Sequence, residues 1–227
     1  MRRALVVCAA PQPNAEEFYR SLIGCHEGLL IAADGGARLC LANGRDPDLL
    51  VGDLDSIPSD ILGRTRSAGT KVVQAPVDKD ETDLDLALQG ASGLGAQRVL
   101  ITAAWSARLD HTLAAIGSVF TYTGLTIDLI DPGMSGCVLD SQARSAATLS
   151  GPGSSFSLFT LDSEAVVSCD GARYTLENAT LQPLSARGLS NVLLDAPAVV
   201  RAVKGRFLVV SHVVDGIGHA SISPGPE

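Results

Sequence analysis

Carboxylates crowded near strand ends are the chemistry-bearing feature of this 227-residue chain. Ten of its 25 acidic residues fall between Asp46 and Asp85, where a uniform spread would put between four and five. Asp53 and Asp55 flank Leu54 directly after the apolar run Leu49-Leu50-Val51, and Asp80 and Asp83 stand three apart at a helix start. Two like charges about 4 Å apart repel by roughly 4 kcal/mol at an effective dielectric near 20. Such a cluster calls for a cation, and hard oxygen donors select Mg²⁺ or a similar ion. A Mg²⁺ held by a few carboxylates usually serves to hold phosphates. Each residue also has a plain structural account, since Asp, Ser, Pro and Gly are turn and N-cap formers and acid runs coat solvated faces. Two clusters together, each at a strand end, favour the metal–phosphate site.

The elements that must position these residues are read from periodicity. Strands are expected over 5–10, 29–33, 49–51, 71–75, 98–103 and 126–130. Helices are expected over 14–23 with Asn14 as cap, over 37–41, from Pro58 onward, over 82–92 with Thr82 as cap, and over 109–121. Strands alternating with helices point to a parallel sheet covered on both faces. Ligands of such sheets sit outside the carboxyl ends of the strands. Asp34, Asp53, Asp80, Asp83, Arg108 and Asp110 all fall in strand-to-helix connections, so one edge collects them.

After about residue 140 helical spacing disappears. Short alternating runs over 155–161, 165–168, 173–176, 192–194, 198–203 and 206–212 are separated by Gly, Ser, Pro and Asp clusters. The expectation is an α/β chain: a parallel-sheet catalytic domain over 1–140, followed by a small all-β sandwich domain over 141–227. The linker is placed near 136–150, and the tail 216–227 carries little core-forming pattern.

Composition narrows the function classes. Net charge is −8 and no Lys/Arg-rich run occurs, which argues against nucleic acid or an anionic membrane as partner. No apolar stretch approaches 18 residues, and the first apolar run stops at Pro11, so it reads as a buried strand and not as a signal peptide. Cys8, Cys25, Cys40, Cys137 and Cys169 form no C-x-x-C pair and read as reduced packing residues of a cytoplasmic protein. His26, His212 and His219 make no ligand pattern, so no zinc site is expected. There is no Walker lysine motif and no G-x-G-x-x-G.

Seven motifs in order carry a more specific resemblance. They are D-G-G-A (34–37), P-D-x-x-x-G-D-x-D-S (47–56), D-K-D-E-T-D (78–83), R-x-D-H-T-L (108–113), G-x-x-F-S-L-F (153–159), D-G-x-x-Y (170–174) and G-L-S-N (188–191). Together they resemble the thiamine pyrophosphokinase (thiamine diphosphokinase) family over nearly the whole chain. The resemblance implies transfer of the diphosphate group of ATP to thiamine, giving thiamine diphosphate and AMP, by a Mg²⁺-dependent homodimer. It implies Asp53, Asp55, Asp80 and Asp83 as metal ligands, and Asp34, Gly35 and Gly36 lining the nucleotide pocket. Absent Cβ atoms there would let backbone amides approach phosphate. It also implies Lys79, Thr82 and Arg108 on phosphate oxygens, the last through its bidentate fork. Asp110, Ser190 and Asn191 would face thiamine. An alcohol attacking phosphorus benefits from a group that takes its proton; Asp110 is the first candidate, with His111 behind it or simply capping its helix.

The chain departs from the family just before Arg108, where a glycine-rich run is replaced by A-A-W-S-A-R (103–108). Loss of the glycines implies an ordinary backbone path there, with Trp105 either packing or walling the pocket. Two alternatives keep part of the pattern. One is a pyrophosphokinase acting on a hydroxymethyl pterin, and the other is a non-catalytic metal–nucleotide sensor.

Overall fold

The computed structural model describes residues 1–106, 108–212 and 221–225. Ala107, His219 and the rest of 213–220 and 226–227 lie outside the described residues. The chain divides into two compact units, Met1–Pro132 and Gly133–Glu227.

The first unit alternates strand and helix: β1 (Arg3–Val7), α1 (Glu16–Gly24), β2 (Leu29–Ala33), α2 (Gly36–Ala42), β3 (Leu49–Gly52), α3 (Ser59–Ser67), β4 (Lys71–Gln74), α4 (Asp83–Gly93), β5 (Arg98–Thr102), α5 (Leu109–Thr121) and β6 (Thr126–Asp131). Its strands run in the order β6-β5-β1-β2-β3-β4, and every pair is parallel. A strand covered on both faces must be apolar throughout, and all five residues of β2 are buried. The edge strand β4 differs most, with Lys71, Val73 and Gln74 exposed. Strand order reverses between β1 and β5, so the loops that follow them diverge. Such a switch point opens a crevice at the carboxyl edge of an α/β sheet.

Helix starts follow from local chemistry. Thr82 caps α4 in a reciprocal box with Asp85: each side chain bonds the other residue's backbone N–H, at 3.0 and 2.9 Å. The expected cap of α1 is corrected. Asn14 sits at a left-handed φ of +57°, the helix begins two residues later, and Ala15 makes no side-chain cap.

The second unit holds β7 (Met134–Asp140), β8 (Ala146–Ser150), β9 (Ser155–Phe159), β10 (Ala165–Asp170), β11 (Leu176–Leu181), β12 (Asn191–Val192), β13 (Ala198–Lys204), β14 (Arg206–His212) and β15 (Ser221–Pro224). They pair antiparallel as β12-β9-β14-β7 and as β11-β10-β13-β8-β15. Both sets bury alternate residues in one cluster that includes Phe156, Leu158, Val167, Val200 and Phe207. The chain's β structure is therefore mixed: parallel in the first unit and antiparallel in the second.

Three expectations are corrected here. The segment 136–150 is not a linker: it forms most of β7 and all of β8, and the units divide at Pro132 and Gly133. The run 173–176 precedes its strand, which begins at Leu176. The tail contributes β15, which pairs with β8.

Candidate functional site

Strand ends deliver the acids. At the end of β2, Asp34 takes a left-handed φ of +44°, a conformation Asp tolerates better than most residues. Its N–H donates to the Val51 carbonyl at 2.7 Å, which docks it against the end of β3. Gly52, at φ +147°, leaves room for it: a Cβ there would lie 2.9 Å from that of Asp34. Asp34 Oδ2 accepts the Ser56 hydroxyl at 2.6 Å, while its buried Oδ1 has no partner. Leu54, at φ +66°, turns into the apolar core beside Ile57, so Asp53 and Asp55 emerge on either side of a buried anchor. A left-handed non-glycine residue costs about 1 kcal/mol. Burying a leucine returns roughly 1.5–3 kcal/mol, so the anchor wins. The Asp55 N–H donates to Asp53 Oδ1 at 3.2 Å. Arg38, on α2, donates to the Ser56 carbonyl and clamps this loop.

A lysine lies among the acids. Lys79 Nζ is 3.1 Å from Asp83 Oδ1 and 4.0 Å from Asp53 Oδ2. Its side chain is only 12% exposed. One ammonium does not balance the cluster. The charge of Asp53, then a hydrogen bond with it, push the Asp55 carboxyl above its usual range, and Asp34 and Asp83 add to this. Burial pushes Asp83 up in the same direction; Lys79 opposes it, and Asp34 and Asp53 reinforce it. Four carboxylates from three connections therefore feel one another.

Beside them opens a cleft of about 740 Å³, floored by Cys8–Ala10 after β1 and by Ala103 and Ala104 after β5. Asp34, Lys79, Asp83, Arg108, Asp110 and His111 reach its wall. Arg108 and Asp110, both exposed, form a two-point pair at 2.6 and 3.3 Å. That pairing holds the Asp110 carboxyl below its ordinary range.

Several expected residues stand elsewhere or act differently. Asp80 is exposed and lines a different groove, between α4 and α5. Thr82 lines the cleft with its hydroxyl engaged by Asp85 and Ser118. Gly35 has an ordinary φ of −55°, and a Cβ on Gly36 would fall 2.0 Å from the Val7 carbonyl oxygen. Gly36 thus lets α2 close onto β1, whereas a Cβ on Gly35 would lie 3.1 Å from that of Ala9. In the second unit Ser190 is exposed at φ +56°, with its N–H on the Ser157 hydroxyl. The buried amide of Asn191 bonds the Tyr174 backbone, at 2.7 and 3.0 Å. The loop after β5 does not keep an ordinary path either, because Ala103 holds φ +55°. Among the described residues, no three His, Cys, Asp or Glu side chains are close enough to enclose a metal by themselves. The donors still fit Mg²⁺, which is commonly held by one or two carboxylates with phosphate and water completing its shell. The orphaned Asp34 Oδ1 and the under-neutralised Asp55 mark where positive charge is missing.

Sequence reasoning missed Arg38 and Asp131. Asp131 ends β6 as Asp34 follows β2, and the same strand-end criterion would have found it.

Acids and one lysine at the carboxyl edge of a parallel sheet, beside a crevice at its switch point, place the first unit among α/β domains that bind ligands at that edge. Residues 22–130 match the family model described as thiamin pyrophosphokinase, catalytic domain. That segment makes up a little under half of the chain. The chain is 31% identical to thiamine pyrophosphokinase 1 of Arabidopsis thaliana, over 57% of this chain and 55% of that protein. Thiamine pyrophosphokinase 2 of the same plant is 30% identical with the same coverage. The chain thus spans about half the length of the curated relatives it matches. The fold is shared with the thiamine pyrophosphokinase of Bacillus subtilis, at TM-score 0.76, 24% identity, and coverage of 94% of this chain and all of that one. It is also shared with that of Candida albicans, at TM-score 0.70, 14% identity, and coverage of 93% and 90%.

Proposed function

We propose that this chain is a thiamine pyrophosphokinase, transferring the diphosphate group of ATP to the hydroxyl of thiamine and releasing AMP. One observation carries the proposal: the segment that matches the catalytic family model includes Asp34, Asp53, Asp55, Lys79, Asp83 and Arg108, gathered at one sheet edge. Phosphoryl transfer asks mainly for positioning and charge neutralisation, and these residues supply both.

Asp53 and Asp55 would hold Mg²⁺, with Asp83 and Asp34 beside them; the ion, when bound, neutralises phosphate oxygens. Lys79 and Arg108 bind phosphate directly, Lys79 as a point charge and Arg108 through its fork. Drawing Arg108 onto phosphate frees Asp110, whose carboxyl then rises toward its ordinary value and accepts the proton of the attacking hydroxyl. His111, at the same mouth, stands second for that role. Ser190, which is exposed, and Asn191 beside it are the candidates for thiamine contact in the second unit, which we take to be a β-sandwich. The enzyme acts as a homodimer, and a cytoplasmic site suits its five reduced cysteines.

The test is a chromatographic assay of the purified protein with thiamine, ATP and Mg²⁺, repeated on Asp53→Asn. Equal amounts of thiamine diphosphate and AMP, abolished by the substitution, are expected. ATP binding without product would overturn the assignment; a product from a hydroxymethyl pterin would reassign the acceptor.

A further inference from the structure

Asp131 is the last residue of β6, is 2% exposed, and does not line the cleft. Its Oδ1 accepts three hydrogen bonds: from the Ala103 N–H at 2.9 Å, the Tyr19 hydroxyl at 3.0 Å and the Thr102 hydroxyl at 3.1 Å. Its other oxygen, Oδ2, is buried without a partner. The Thr102 hydroxyl and the Ala103 amide, at the β5–α5 corner, are therefore gathered on one side chain from another strand. That corner needs a tether, because Ala103 sits at a left-handed φ where side chains crowd the backbone. Its carbonyl is held too, accepting the Ala10 N–H at 2.9 Å.

The network continues outward. The Tyr19 hydroxyl, while donating to Asp131, accepts the Gln12 N–H at 2.9 Å. Gln12 Nε2 then donates to the Trp105 carbonyl at 3.0 Å. A buried carboxylate is thus linked through α1 and the β1–α1 loop to the loop that replaces the glycine-rich run. Ala10, Ala103, Ala104, Ser106 and Arg108 from these segments all border the cleft.

The geometry points to Asp131 as a positioning residue. Through the Ala103 amide, the Thr102 hydroxyl and the Tyr19–Gln12–Trp105 chain, it sets the shape of the cleft floor and the approach of Arg108. A glycine-rich turn would reach a left-handed conformation unaided, whereas here a hydrogen-bonded carboxylate holds an alanine in it. What the cleft binds rests on the function proposed above; the loop's dependence on Asp131 does not.

Trp105 is the chain's single tryptophan and lies on the tethered loop, so its fluorescence reads the loop in the full-length protein without any ligand. Asp131→Asn keeps the Oδ1 acceptor, Asp131→Leu keeps approximate size without it, Tyr19→Phe removes only the connecting hydroxyl, and Gln12→Ala removes the last link. All are compared well below their melting temperatures. Asp131→Leu is expected to red-shift Trp105 emission, to open it to acrylamide quenching, and to weaken Mg-ATP binding about tenfold, the effect of losing one to two hydrogen bonds. Asp131→Asn should restore both readouts toward the parent values, which a merely stability-bearing residue would not predict. Tyr19→Phe and Gln12→Ala should raise quenching in the same direction. A folded Asp131→Leu protein with parental emission and nucleotide affinity would overturn the inference. If that variant does not fold, unchanged quenching in both Tyr19→Phe and Gln12→Ala overturns it instead. A parent protein that binds no Mg-ATP would defeat the functional proposal alone, leaving the Trp105 measurements to decide this one.

Discussion

Lys79 Nζ stands 3.1 Å from Asp83 Oδ1, one helical turn along the chain, with little of the lysine exposed. The pair is half-buried among further carboxylates, so removing the ammonium leaves their repulsion unopposed. Removing one partner of a fully buried pair costs several kcal/mol, and an exposed pair is worth little. For this intermediate case Lys79→Met is expected to destabilise the metal-free protein by about 1–2 kcal/mol at neutral pH. Urea unfolding at pH 7 measures it; an unchanged midpoint would mean the pair contributes nothing.

The same cluster predicts a pH dependence with a definite sign. The carboxyls of Asp55 and Asp83 lie above their ordinary value of 3.8 in the folded protein. The folded state therefore keeps their protons longer than the unfolded state does. Their contribution to stability is present below pH 3.8 and is lost as pH rises through the folded values. In EDTA, Asp55→Asn should thus become progressively more stable than the parent as melts are taken from pH 4 to pH 7. Mg²⁺ at a hundredfold excess over its dissociation constant should stabilise the parent by about 2.7 kcal/mol, and the variant far less. Parallel melting curves at every pH, with equal Mg²⁺ shifts, would remove the cluster as the ion's site.

How much of this was legible in the sequence depends on how local its cause is. The span of α5 follows from periodicity, and the cap of α4 from Thr82 and Asp85, three residues apart. The strand ends carrying Asp34 and Asp53 were readable because runs buried on both faces are continuously apolar. What escaped depends on distant partners. β7 and β8 contain Gly136, Ser135 and Ser150 and looked like a linker; they are strands because β14 and β13 pair with them, more than 40 residues later. Nothing near Ala103 announces its left-handed φ, which is held by Asp131 from another strand. The G-L-S-N motif gives no sign of the partner of Asn191; only the fold brings the Tyr174 backbone to its amide.

The exposed pair of Arg108 and Asp110 predicts a linked change in rate profiles. Arg108 lowers the Asp110 carboxyl by hydrogen bond and by charge. If Asp110 accepts the substrate proton, the acid limb of kcat/KM reports its ionisation in the free enzyme. Arg108→Gln should move that limb to higher pH while raising the KM for ATP. Asp110→Asn should lower kcat by about 10²–10⁴ and flatten the limb. A limb that stays in place in Arg108→Gln would assign the proton transfer to another group, with His111→Gln the next variant to measure.

Glycines offer the sharpest packing test, because two of them make opposite predictions. A Cβ on Gly36 would lie 2.0 Å from the Val7 carbonyl oxygen and 2.8 Å from the carbonyl carbon. Both are backbone atoms of a buried central strand, so neither side can yield without moving α2 or β1. Gly36→Ala should therefore cost about 3 kcal/mol, the upper part of the range for overpacking. It should also weaken nucleotide binding, since Asp34 stands two residues before this helix. Gly63 lies exposed within α3, with no atom within 4 Å of an added Cβ. There alanine restricts the unfolded chain and favours the helix, so Gly63→Ala should gain about 0.5–1 kcal/mol. Thermal unfolding of the two variants against the parent decides the matter. Opposite signs are expected, and a tolerated Gly36→Ala would show that α2 is not pressed against β1.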